Sequence, residues 1–475
     1  MPTNTRQLDA TWAWSSWQPD ANRPWNRALA AHLYRRAGFA ANTGELNDAV
    51  KQGHAATIDR LFTPVTATAK TTAKDKGDEQ SPADPAAFSD SMMMLGQSMM
   101  ATGNPQSLSA WWLYRMTHTP DQLLEKTTLF WHGHFATSAA KVEDSKLMLR
   151  HNELLRRHAL GRFEPFVQAM SRDAAMLLWL DAASNRKIRP NENYAREVME
   201  LFCLGVGNYT EKDIKEVARC FTGWEVNRGE FAFNKYQHDE GTKSFLGASG
   251  NFNGDDAVRV ILKQPAAAMF IVRKLAKYFV AEEPALHDAL LEPLAKELRD
   301  RDFEIAPVIR RMLSSNLFFS EHAIGRMVRP PVSLGVGLLR ALEGKTNMTA
   351  LAQGLQELGQ AVFYPPNVKG WDGGRTWINA STLLTRANLV RGILRNNDSR
   401  FAGGKLSEVA AKYNATSAKA AVDWMLELLV AVPVPANVRA GLVEIADGNT
   451  GGGDLNERLT NTLQAIGTLP EFQLC

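Results

Sequence analysis

Apolar residues recur every three to four positions along most of this chain, the period of an amphipathic helix. "NRALAAHLYRRAG" places Leu29, Leu33 and Ala37 on one face, with Gly38 as its stop. "TGELNDAVKQG" starts at Thr43 as N-cap and ends at Gly53, and "ATIDRLFTP" makes a short third helix. From Ser89 to Arg186 the pattern stays helical through "SLSAWWLYRMTHT", "QLLEKTTLFWHGHF" and "FEPFVQAMSRDAAMLLWLD". The last is apolar nearly all round at its end, which predicts a core element. Helices resume in "GDDAVRVILKQ", "AAAMFIVRKLAKYFVA" and "LLEPLAKELRDR", and again from Leu406 to Cys475.

Two stretches break the period. "WEVNRGEFAFNKYQHDEGTKSFLG" alternates Phe231 and Phe233 around Ala232, with turn signals at Arg228-Gly229 and Gly241. It reads as a small β-hairpin inserted near residues 225–247. Residues 63–88 are rich in Thr, Ala, Lys and Pro and poor in large apolar groups, so they read as a flexible insertion. The expected fold is mainly α, a large multi-helix core with that hairpin. The expected division is N-terminal helices over 1–62, the insertion, a main helical core over 89–400, and a helical segment over 401–475 packed on the core. No common repeat length emerges, which disfavours a solenoid.

The 475 residues carry 54 basic and 51 acidic side chains, a net charge of +3. That near balance gives no electrostatic case for a nucleic-acid partner. No run of about 18 apolar residues exists, so no membrane partner is expected. Cys203, Cys220 and Cys475 have no CxxC spacing, which argues against a thiolate zinc site and a disulfide framework. The N-terminal stretch lacks the apolar core of a signal peptide. A cytoplasmic location is therefore expected, or a periplasmic one if an export signal precedes this sequence.

Four stretches could carry chemistry. In "LFWHGHFATS", His132 and His134 flank Gly133. Extended backbone would point both imidazoles to one side, whereas a helix would set them about 200° apart. Gly133 favours an extended segment or turn. The competing arrangement is two histidines bonded to backbone at a helix end. In "NENYAREVMELFCLGVGNYTEKDIKEVARCFTGW", an α-helix would line up Asn193, Glu197, Glu200 and Leu204 in a polar stripe on an otherwise apolar surface. Two carboxylates so placed need a cation, an arginine or a proton between them. Thr210 and Asp213 form a capping pair for the next helix. In "HDEGTKSFLG", His238 and Asp239 could close a mixed nitrogen and oxygen site, or Asp239 could cap a turn. "PPNVKGWDGGRTWIN" is an irregular loop whose Lys369, Trp371 and Trp377 could wall a pocket. Phosphate-loop, GxSxG and HExxH motifs are absent.

Taken in order, "HLYRRAGF", "EKTTLFWHGHFATS", "RRHALGRFEPFVQAMSRDAAMLLWLD" and the three stretches after them resemble a bacterial family, domain of unknown function 1800. The resemblance runs from about Leu29 to "LPEFQ". It carries no activity with it. It implies that members are often exported, and that a protein of a neighbouring sulfatase-like family is a partner. The family's usual WHNHF pattern has Gly133 in place of Asn here, so that position is not a ligand.

Two readings follow. In the first, His132, His134, Glu197, His238 and Asp239 hold a divalent metal (Zn, Fe or Mn). Glu200 is then the catalytic base of a hydrolytic enzyme, and Asn193, Lys369, Trp371 and Trp377 touch substrate. In the second, the protein is a non-enzymatic helical partner in which the same groups form a buried polar network.

Overall fold

The computed structural model describes residues 8–63, 85–101, 105–449 and 452–475. Of the predicted insertion, residues 64–84 lie outside the described residues, and 85–88 begin helix Pro85–Ala101. The fold is mainly α, with small two-stranded antiparallel sheets. No described helix is long and apolar enough to cross a membrane.

Helix starts follow side-chain chemistry. Asn42, rather than Thr43, caps Thr43–Gln52, and Glu45 returns a bond to complete a capping box. Thr210 and Asp213 cap Glu211–Cys220 in the same way. The apolar stretch after Phe163 is two helices, Phe163–Ser171 and Ala174–Trp179. The break falls at Asp173, whose carboxylate accepts from Met176 N, so the second helix has its own cap. The predicted hairpin is Trp224–Asn227 against Glu230–Phe233, closed by Arg228-Gly229. It is followed by a second hairpin, Lys243–Phe245 against Ala248–Gly250, which the single expected β element did not include.

Apolar side chains form two clusters. One gathers helices Phe163–Ser171, Gly254–Leu262, Pro265–Phe279, Asp288–Asp300 and Ile305–Leu313. The other gathers Pro105–His118, Pro331–Ala341, Ala380–Arg395, Ala418–Leu429 and Leu455–Thr468. Helix Gln122–His134 belongs to both: Leu123, Phe130 and Trp131 enter the first cluster and Leu129 the second. It is a shared wall, buried at nearly every position. That placement decides what its two histidines meet.

A candidate cleft at the seam of two cores

His132 and His134 both lie within helix Gln122–His134, so the extended segment favoured around Gly133 is not formed. Burial on both flanks keeps the helix going through the glycine. The 200° separation then sends one imidazole into each core. His132 faces Trp112 and Phe363, and its Nε2 accepts from Phe363 N at 3.0 Å. A backbone N–H can only donate, so the neutral ring carries its proton on Nδ1. His134 sits among Phe135, Phe163 and Phe202, and its Nε2 donates to the Phe202 carbonyl at 3.0 Å. Its Nδ1 accepts from the Lys274 ammonium at 3.0 Å. Burial pushes the His132 imidazole down to about 3 and holds His134 well below the usual range. Each ring is neutral, and the lone pair of each is already taken. This is the backbone-bonded arrangement at a helix end.

The glutamate stripe also changes. Asn193–Glu197 is α-helical, but Val198–Cys203 is a π-helix. The wider turn breaks the period that aligned Asn193, Glu197, Glu200 and Leu204. It also frees carbonyls, and His134 and Lys274 take two of them. Phe202 O accepts from His134, and Leu201 O accepts from Lys274 Nζ at 3.0 Å. Glu200 accepts from Tyr209 Oη at 2.5 Å. Burial and the nearby Glu200 raise the Glu197 carboxyl, offset by Arg196 and Lys369. Asn193 is exposed and takes part in a local turn with Asn191.

In the hairpin region, His238 Nδ1 donates to Thr222 O at 2.8 Å. Asp239 accepts from Arg219 Nε at 2.7 Å, and Arg219 keeps its carboxyl low. Four of the five proposed ligands, His132, His134, His238 and Asp239, thus have separate partners. Among the described residues, no group of three or more His, Cys, Asp or Glu could hold a metal ion. The three cysteines are free and buried.

What does come together is a cleft of about 190 Å³ at the seam of the two cores. Helix Gln122–His134 supplies Phe130, Gly133 and His134, and the irregular loop supplies Lys369, Trp371 and Trp377. Gly370 seats that loop. Its φ is +78°, and a Cβ there would lie 2.2 Å from the Gly133 carbonyl. The two backbones touch, which only glycine at 370 permits.

Sequence reasoning missed the third wall, Lys274, Lys277 and Tyr278 of helix Pro265–Phe279, with Glu282 just beyond it. The signal was present: positions 274, 277, 278 and 281–282 share one helical face, and that face carries two lysines in a helix whose only other charged residue is Arg273. Burial draws the Lys274 ammonium down to about 8. The Glu282 carboxyl is raised by burial, although Lys277 Nζ stands 3.5 Å away. Lys277 Nζ also donates to Asp372 O at 2.9 Å, tying the loop to this helix.

Comparison with known proteins adds the family. A family model described as "Protein of unknown function (DUF1800)" matches residues 32–474. The chain belongs to the DUF1800 family. No curated protein and no solved structure matches it. For this DUF1800 protein, any function must therefore be argued from the cleft itself.

Proposed function

We propose that the seam cleft binds a small molecule and acts on it by proton transfer. One observation carries the reading. Lys274 and Glu282 are a cation and a carboxyl whose burial moves both toward neutrality, in one cleft walled by Trp371 and Trp377. Titratable groups shifted this way cluster at functional sites. Lys274, with a neutral His134 against its Nζ, is the proton donor and acceptor near pH 8. Glu282 is the second acid–base group. Trp371, Trp377 and Lys369 contact the bound molecule.

A chemically varied small-molecule set, screened by thermal shift against the full chain, tests this. Ligands that stabilise the wild type should lose their effect in Trp371→Ala and in Lys274→Met. If every stabilising ligand acts equally on both variants, the cleft is not the site.

The metal-dependent hydrolase draws little support, because His132 and His134 offer no free lone pair. Metal analysis of chelator-free protein tests it. An equivalent of zinc, iron or manganese that disappears in His132→Ala would restore it.

The helical partner reading is favoured by a separate observation. His132, His134, Glu200, His238 and Asp239 each tie one element to another through a satisfied bond. On that reading the cleft binds nothing, and the partner is a protein such as the sulfatase-like neighbour. Co-purification of that partner with a Trp371→Ala variant, together with a failed ligand screen, would favour it.

A further inference from the structure

Five buried cations act on one another: Arg35, Arg36, Lys126, Arg329 and Arg386. Apart from one bond of Arg36 to an oxygen of Cys475, their hydrogen bonds go to neutral groups. Arg36 donates to the carbonyls of Phe279, Val280 and Ala323, and to Cys475 O. Arg35 donates to Leu428 O, and Arg329 to Leu429 O and Leu474 O. Arg386 donates to Arg329 O and to the Gln473 amide, and Lys126 to the Ser333 hydroxyl. The Nε atoms of all four arginines lack a partner among the described residues. The negative groups that act on this cluster are Glu282 and Cys475. Two negative groups against five cations leave an excess of positive charge in a low-dielectric interior, where fields reach far.

That field emerges at the cleft. Met327 and Pro330 line the cleft and bracket Arg329 in sequence. Tyr278 lines it too, with the Lys126 ammonium 5.6 Å from its ring. Lys277 and the exposed Lys369 add cations at the mouth. Phe130, Trp371 and Trp377 make the remaining wall aromatic.

We propose that the cleft selects an amphipathic anion. A carboxylate or phosphate head lies at the Lys277 and Lys369 mouth, over the buried cation cluster, and an aromatic or other planar body lies against Trp371. This rests on the cleft being a small-molecule site, and names the ligand class for it.

Two fluorescent probes of similar shape separate the two ideas in the full chain: anilinonaphthalene sulfonate, which is anionic, and phenylnaphthylamine, which is neutral. The sulfonate should bind more tightly and weaken with salt. Lys277→Met and Lys369→Met should each weaken it by about five-fold, the effect of one exposed charge contact. Both variants should weaken the neutral probe less than the sulfonate, which separates loss of charge from loss of the cleft. Phenyl phosphate and benzoate then compete for the sulfonate, and the better competitor tells which head group is preferred. Benzyl alcohol should not compete. Equal binding of the two probes overturns the anion inference and leaves the cleft standing. So does full sulfonate affinity in the double variant, or competition by benzyl alcohol as strong as by benzoate. If neither probe binds, the cleft reading falls with it.

Discussion

Phe363 holds φ at 69°, a left-handed value that is strained for a bulky residue, and its amide N–H is bonded to His132. Its carbonyl in turn accepts from Ala139 N at 2.8 Å. The loop that carries Lys369 and Trp371 leaves from this residue. His132→Ala removes a fully buried ring and orphans a buried N–H. The expected loss is about 3 kcal/mol of stability, read by urea unfolding. A loss under about 1 kcal/mol would mean that the bond does not hold the strained residue. Gly370 is the second point of control. Gly370→Ala puts a methyl where the Gly133 carbonyl sits and takes on a left-handed strain of about 1 kcal/mol. The loop must lift. The expected result is a shift in tryptophan emission and loss of probe binding, with the far-UV spectrum unchanged. Wild-type binding in this variant would show that the loop does not depend on that contact.

At the scale of elements, one carboxylate ties helix Gln122–His134 to two neighbouring helices. Glu125 is fully buried and accepts from Arg115 Nε at 2.7 Å, Arg156 Nε at 2.5 Å and Trp112 Nε1 at 2.9 Å. Burial alone would raise this carboxyl, but Arg156 and Arg115 outweigh it and bring it down to about 2. The network pins Pro105–His118 and Ser145–His158 to the central helix. Glu125→Gln leaves two buried guanidinium groups with Glu153 as their one remaining carboxylate, and about 3 kcal/mol should be lost in urea unfolding. An unchanged midpoint would mean the arginines repartner freely. These helices show how far the sequence could be read. Their 3.6-residue period was legible because each has one apolar face. The break at Asp173 was not, since apolar residues continue on both sides and only the cap marks it. The π-turn at Val198–Cys203 was equally hidden: its extra residue leaves composition unchanged and shifts only the hydrogen bonds. Lys369, Trp371 and Trp377 were found because an irregular Gly- and Pro-rich loop announces itself. Lys274 and Glu282 were passed over because they extend a good helix and its end, and only the fold brings them to the loop.

For the whole molecule, burial of neutral imidazoles sets the response to pH. His32, His132 and His134 are buried, and in each the folded value lies below the usual 6.5, mainly through burial. The unfolded chain therefore binds more protons once pH falls below about 6.5, so stability is complete above that value and is lost as pH falls. Each histidine contributes up to about 1.4 kcal/mol per pH unit in that window, and three together about 4 kcal/mol. Glu125 acts in the same direction lower down: its low folded value contributes stability above about 4.5 that disappears as pH falls toward 2. On the alkaline side, Lys126 and Lys274 ionise near 8 in the fold, below the usual lysine value. The cost of burying their charge is relieved as pH rises from about 8 to 10, until unfolded tyrosines begin to ionise. Tyr34 is held up to about 12 by burial and then works against the fold. The expected profile is a stability maximum near pH 8–10 and a steep acid limb beginning near 6.5. Urea unfolding at a series of pH values checks it. Burial lowers His54, His118 and His158 in the same sense, so the slope between pH 6.5 and 5 should fall by about one sixth in His134→Gln, whose amide can still donate to the Phe202 carbonyl. A flat profile from pH 8 to 5 would show that these histidines are not held neutral in the folded chain.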